Sequence, residues 1–312
     1  RLWHSRGVDF TRQSIANWHI KASEGYLESL YKLMHRDLLA QDVIHVIHAD
    51  ETPYRVLDLK KAQTYYWVYT SSKHSAHQIV MYEHGNSRGY EEAARFLAGY
   101  EGYLQSDAYA VYPNLLGVTN VFCWAHVRRK FDEAVTAGDK GLGPTGRQYC
   151  NDLFQWEKKW QDLSADERQT QREQRLKPVM DAFFAWLVSL DGSYLPKSKV
   201  GKAITYALKH EAGLRAVLLD GRLELSNNRA ERAVKELVIG RKNWLFSQSK
   251  RGATAAGVIL SLLTTARANH LDPSKYFNYL FDTVPNLPAP GDMVALQDYL
   301  PWAPKVQAFC HE

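Results

Sequence analysis

The feature that most constrains this chain is a change of hydrophobic period near residue 43. Before it, residues 11–40 (TRQSIANWHIKASEGYLESLYKLMHRDLLA) place Ile15, Trp18 and Ile20, then Tyr26, Leu27, Leu30, Leu33 and Met34, at helical spacing. That pattern predicts two helices. After it, VIHVIHAD (43–50), TYYWVYT (64–70) and AHQIVMY (76–82) are β-branched and aromatic runs separated by turn-compatible stretches. They predict three strands in an antiparallel meander. A helix is expected over 89–99, a strand over 102–107 (GYLQSD), a strand over 118–124 (VTNVFCW) and a helix over 125–137.

Three hairpin-joined strands followed by crossovers that add parallel strands give an α/β fold, a mixed five-stranded sheet flanked by helices. The ribonuclease-H-like fold has this order. Residues 138–225 break the pattern with a Gly-rich start, amphipathic stretches and Pro178, and read as an all-helical insertion. Further helices are expected at about 228–238, 252–269 and 273–281. The resulting partition is a helical segment (1–40), a core in two parts (41–137 and 226–282) around the insertion (138–225), and a tail (283–312) that begins with a Pro-rich stretch.

The 312 residues are 45% hydrophobic and 23% charged, enough for a sizeable core. The longest apolar runs, such as Val258-Ile259-Leu260, fall far short of the roughly 20 residues that span a bilayer. The first residue is Arg and no signal peptide follows, so an N-terminally incomplete chain without a secretory route is expected. Cys123, Cys150 and Cys310 are few, distant and odd in number, which disfavours a disulfide framework and points to a reducing cytoplasm. The net charge of +5 is modest, but from Arg229 to Arg251 seven basic residues face only Glu231 and Glu236, a local excess as large as the whole. Such a run is often a solvated face. Beside a candidate carboxylate it favours a polyanionic substrate.

Two aspartates end predicted strands, Asp50 in HADETPYRVL and Asp107 in GYLQSDAY, and the proposed topology makes those strands neighbours. Either aspartate alone reads equally as a turn or cap residue. Glu231, in SNNRAERAVKELV, lies beside an apolar stripe of Ala230, Ala233, Val234, Leu237 and Val238, and with Asn228 as N-cap it reads as an ordinary capping box. Together the three acids supply the hard oxygen ligands that two Mg²⁺ ions roughly 3.5–4 Å apart require in an in-line phosphoryl displacement, with Mn²⁺ as a substitute. In CWAHVRRKF, Cys123 and His126 read either as a buried thiol and a helix-start histidine or as supporting groups near phosphate, and Arg128, Arg129 and Lys130 offer charge to DNA. Arg232 and Lys235 add charge beside Glu231. In GRKNWLF, Arg241 and Lys242 can contact phosphate while Trp244 stacks on an unpaired base or fills a core.

These stretches, together with NNRAERAVKELVIGRKNWLFSQSKRGATAA and LDPSKYFNYL…LPWAP, resemble the transposases of the insertion-sequence-66 group, in that family's order and from about residue 7 to 304. The resemblance implies a DDE transposase with Asp50, Asp107 and Glu231 as catalytic metal ligands and a Cys-x-x-His element at Cys123 and His126. Its implied partners are double-stranded DNA at transposon ends and target, a homo-oligomer assembled on DNA, and accessory transposition proteins. Residues 7–20 look like the remnant of a DNA-recognition region. Two other functions fit the same residues: a ribonuclease-H-like nuclease without strand transfer, and a catalytically silent DNA-binding remnant.

Overall fold

The computed structural model describes residues 7, 9–40, 45–59, 63–135 and 141–311. The predicted start of the first strand at 43–44, the end of the 125–137 helix and the first residues of the Gly-rich stretch lie outside them. In chain order the elements are helices α1 (Arg12–Ala22) and α2 (Glu28–Leu39), strands β1 (Val46–Tyr54), β2 (Thr64–Ser71) and β3 (Val80–Gly85), helix α3 (Tyr90–Phe96), and strands β4 (Gly102–Ser106) and β5 (Val118–Phe122). Helices α4 (Trp124–Asp132), α5 (Leu142–Lys159), α6 (Ala165–Gln171), α7 (Lys177–Ser189), α8 (Lys199–Lys209) and α9 (Glu211–Arg215) follow. The last are α10 (Asn228–Trp244), α11 (Lys250–Ala268), α12 (Pro273–Thr283), α13 (Met293–Leu296) and α14 (Pro304–Cys310).

The strands form one mixed five-stranded sheet in the order β3-β2-β1-β4-β5. β2 and β3 are antiparallel, while β4 runs parallel to both β1 and β5. This is the α/β architecture that three strands followed by crossovers imply. Among the described residues, no helix is long and apolar enough to cross a membrane.

The chain folds as two compact units, Arg1–Val43, Ala49–Ala98 and Ala230–Glu312 in the first, Ile44–His48 and Gly99–Arg229 in the second. In the first, α10 and α11 cover a core of Tyr54, Tyr66, Val68, Val80, Tyr82, Ala233, Leu237 and Ala253. Its edge strand β3 would leave unpaired N–H and C=O groups, a liability for any open sheet. α11 covers them with side chains four residues apart. Ser261 Oγ accepts the Tyr82 N–H at 2.8 Å, Thr265 Oγ1 accepts the Val80 N–H at 3.0 Å, and Asn269 Oδ1 accepts the Gln78 N–H at 3.3 Å. Four helical residues advance ~6 Å and two strand residues ~6.7 Å, so the two ladders stay in step over this span. Gly257 continues the series, because a Cβ there would lie 2.7 Å from the Tyr82 carbonyl oxygen.

Three expectations for the first unit are corrected. Residues 12–39 hold one unbroken helical run with a π-helical turn at Ser23–Leu27, rather than two separate helices; Gly25 falls inside that turn and breaks nothing. Asp50 does not close the first strand: β1 continues through Glu51-Thr52-Pro53-Tyr54. Pro53 is tolerated there because the register with β4 ends at His48↔Gln105, so no β4 ladder bond needs its missing N–H. Finally, α10 runs six residues beyond the expected 238. Gly240 does not stop it, because that position makes room for the Trp244 ring.

In the second unit the helices of residues 142–215 share a core with β5 and α4, built from Phe122, Trp124, Val127, Phe131, Cys150, Met180, Phe183 and Ile204 among others. Gly146 lets α5 close on Phe131, whose ring a Cβ would meet at 2.3 Å. Among the described residues 141–225 there is no strand.

Candidate active site

Each candidate aspartate is held by a main-chain donor. Asp50, half-buried in the middle of β1, accepts the Glu51 N–H on Oδ1 at 2.9 Å. Strand alternation turns Glu51 to the other face, where it is buried and neutralised by Arg88 at 2.7 Å. Asp107, one residue past β4, accepts the Tyr109 N–H on Oδ1 at 2.9 Å, an Asx-turn. Its carbonyl accepts the Tyr206 hydroxyl of α8 at 2.6 Å. Burial, then the Asp107 charge, pushes the Tyr206 phenol well up, so it stays a donor. Ala108 next to it has φ 66°, a left-handed conformation uncommon for a non-glycine residue. A cavity of about 580 Å³ opens beside this turn, lined by Ala108, Tyr109, Asn114, Lys209 and His210 among others.

Glu231 is half-buried in the first turns of α10, whose face of Ala230, Ala233 and Leu237 is buried. With Asn228 the first helical residue, Asn227 stands at the cap position and Glu231 comes fourth in the helix. The expected capping box, with Asn228 as cap and Glu231 at its third position, is therefore shifted out of frame.

What precedes α10 is the part that sequence reasoning missed. Residues 220–228 read as a polar exit from the insertion, yet 217–227 is tied down by buried side chains. Arg172, its charge balanced by Glu157 at 2.6 Å, donates to the carbonyls of Val217, Asp220 and Leu223 at 2.7–2.9 Å. Gln105, fully buried on β4, donates to the carbonyls of Glu224 and Ser226 at 2.5 and 3.2 Å and accepts the Glu224 N–H at 3.2 Å. His48, its register partner on β1 and also fully buried, meets Asn227 Oδ1 through Nδ1 at 3.2 Å. Cys123 Sγ accepts the Asn227 N–H at 3.2 Å, and the Trp124 N–H donates to Leu225 O at 2.9 Å. A sequence signal existed: His48 and Gln105 are polar residues inside strands, and each stands two positions before a candidate aspartate.

Of the other candidates, Cys123 is buried at the start of α4, and His126 lies one turn into that helix. Arg128 and Arg129 are exposed, Arg128 donating to Asn151 at 2.6 Å, while the Lys130 ammonium lies 4.6 Å from the centre of the Tyr206 ring. Arg232, Lys235 and Lys242 are exposed on α10. Arg241 donates to the Pro53 carbonyl of β1. Trp244 is 43% exposed, which removes the core-filler reading of that residue. Asp107, Cys123, His126, Asn228 and the Arg128–Lys130 group belong to the second unit; Asp50, Glu231, Arg232, Lys235, Arg241, Lys242 and Trp244 belong to the first.

Comparison with known proteins gives two concordant findings and one blank. The model of the family described as "Transposase IS66 family" matches residues 1–255. Two relatives from Sinorhizobium fredii (strain NBRC 101917 / NGR234), the uncharacterized proteins y4hP and y4jD, are each 30% identical, over 95% and 97% of this chain. The chain spans only 56% and 61% of their respective lengths. No solved structure matches.

Proposed function

Because the chain belongs to the IS66 transposase family, we propose that it carries the catalytic part of a DDE transposase, cutting DNA and transferring strands at insertion-sequence ends with divalent metal bound by Asp50, Asp107 and Glu231. In this reading 41–137 and 226–282 form the catalytic core and 138–225 the insertion. The observation that carries it is the register of the parallel pair β1 and β4. His48 pairs with Gln105, and each candidate aspartate follows its own member of that pair by two residues of sequence. Chain continuity adds Glu231, one turn along α10 from an Asn227 fixed by His48 and Cys123.

By donor chemistry the three acids suit a hard divalent cation. All three proposed ligands are carboxylates, and both aspartates have one oxygen oriented by a backbone N–H, the way ligating carboxylates are usually held. Two bound Mg²⁺ or Mn²⁺ ions would polarise the scissile phosphate and stabilise the attacking and leaving oxygens. The protein's own part is to hold the carboxylates rigid, while Arg128, Arg129, Arg232, Lys235, Arg241 and Lys242 bind and orient the phosphate backbone. Cys123 accepts a backbone N–H of the lead-in to α10, and His126 and Asn228 are proposed as further supporting groups.

End-labelled duplex DNA incubated with this chain and Mg²⁺ or Mn²⁺ tests the reading. Cleaved and joined products that vanish with a chelator are expected. Cleavage without joining would favour the nuclease, and metal-independent binding without cleavage the silent DNA binder.

A further inference from the structure

The end of α10 and the two residues after it present three consecutive large apolar side chains to solvent. Trp244, Leu245 and Phe246 are 43%, 63% and 37% exposed. The Phe246 N–H donates to the Trp244 carbonyl at 2.6 Å, closing a three-residue γ-turn with Leu245 at its apex and φ 58°. A bulky side chain at positive φ is disfavoured, so the chain accepts strain to project this leucine.

The tryptophan is set in place as deliberately. A Cβ at Gly240 would come within 2.1 Å of the indole, so a glycine inside the helix, itself unfavourable there, lets the ring lie against the backbone. The indole also lies beside the Tyr54 hydroxyl, which is 2.9 Å from Ser247 Oγ. One edge of the ring is covered while much of it stays open.

Charge identifies what this apolar tip meets. From Arg241 to Arg251 the sequence holds Arg241, Lys242, Lys250 and Arg251 and no acid, and Lys242 and Lys250 are exposed. A second copy docking tip to tip would set these cations against their own counterparts. A polyanion with an apolar interior suits both features: phosphates outside, stacked bases within. Resting on the reading that this chain acts on DNA, we propose that Trp244, Leu245 and Phe246 form a wedge that enters the duplex and unstacks a base step, with Lys242 and Lys250 on the flanking phosphates.

Mispaired duplexes cost less to unstack, so a wedge prefers them whatever their sequence. The test is the ratio of Kd for a fully paired duplex to Kd for the same duplex with a central mispair, measured by fluorescence anisotropy on this chain. The wild type is expected to favour the mispair by about tenfold, the scale set by part of the few kcal/mol that unstacking a step costs. Leu245→Gly relieves the positive φ, so its Tm should hold or rise while the preference falls towards one; Trp244→Ala should lower it too. An unchanged preference in both variants, or none in a wild type that binds DNA, would overturn the wedge and leave the DNA reading standing. Loss of a wild-type dimer in Leu245→Gly, seen by sedimentation, would overturn it in favour of a self-contact. A wild type that binds no DNA would remove the functional reading itself, and the wedge with it.

Discussion

The two ends of α10 are built on opposite principles. At its start, the segment 224–227 gives its polar groups to buried partners, Gln105, His48, Cys123 and Trp124, and has little freedom left. At its end, Trp244, Leu245 and Phe246 give apolar surface to solvent from a strained turn. Rigid support suits a carboxylate that must bind metal within a fraction of an ångström, while an exposed tip suits a contact made with a substrate that arrives from outside. If the proposed reading holds, the difference teaches that one helix can carry a fixed ligand and a presented contact, provided each end is built for its own task.

The largest effect expected short of removing a metal ligand is at the buried end. Gln105→Leu is close in size but leaves two carbonyls and one N–H of 224–226 without their partner, each costing about 1–3 kcal/mol. Metal-dependent cleavage should fall roughly 10–100-fold, as when groups that orient metal ligands are removed, with Kd for DNA nearly unchanged. Equal losses in cleavage and binding would show that the segment matters for folding alone.

Acid should weaken the platform beneath the exposed end. His84 is buried against Tyr66 and accepts or donates at Thr64 Oγ1 over 3.0 Å; burial, helped by the Lys250 charge, pushes its pKa down to about 4. Tyr54, which bonds Ser247 and lies beside Trp244, packs against the same Tyr66. Because the folded value lies below the ordinary 6.5, the unfolded chain takes up the proton first. This contribution to stability is complete above about pH 6.5, is lost as pH falls towards 4, and amounts to roughly 3 kcal/mol. Urea unfolding at several pH values should show a steeper acid loss for the wild type than for His84→Gln; parallel curves would contradict the assignment.

The smallest effect is electrostatic. Neutralising Arg241 and Lys242 together should weaken DNA binding and reduce the slope of log affinity against log salt by about 1–2. Because Arg241 also holds the Pro53 carbonyl, the single Lys242→Gln variant separates phosphate contact from support of β1. An unchanged slope in both would mark this stretch as a solvated face.

The sheet was legible in the sequence because strand periodicity and turn residues are local, and the five-strand order followed from them. The three acids are proposed only as a set, since each alone resembles a cap or turn residue. The support for α10 was hidden because Gln105 and His48 act across 119 and 179 positions of sequence, and a polar residue in a strand does not announce which distant segment it binds. The length of α10 was misread at Gly240, where glycine serves a ring four residues away instead of ending a helix. Nothing local could announce Leu245 at positive φ, since leucine is not a residue that signals it.

Glu231→Gln tests the central claim most directly, because glutamine keeps the shape and any capping role of the glutamate but removes the charge a divalent ion requires. The measurement is Mn²⁺-dependent cleavage of labelled duplex DNA, with Tm and DNA affinity followed alongside. The account predicts a folded, DNA-binding protein in which cleavage falls at least ~1,000-fold, the scale of losing a main electrostatic support of the transition state. Near-wild-type cleavage by Glu231→Gln would take the glutamate out of the site and leave Asp50 and Asp107 without their third ligand.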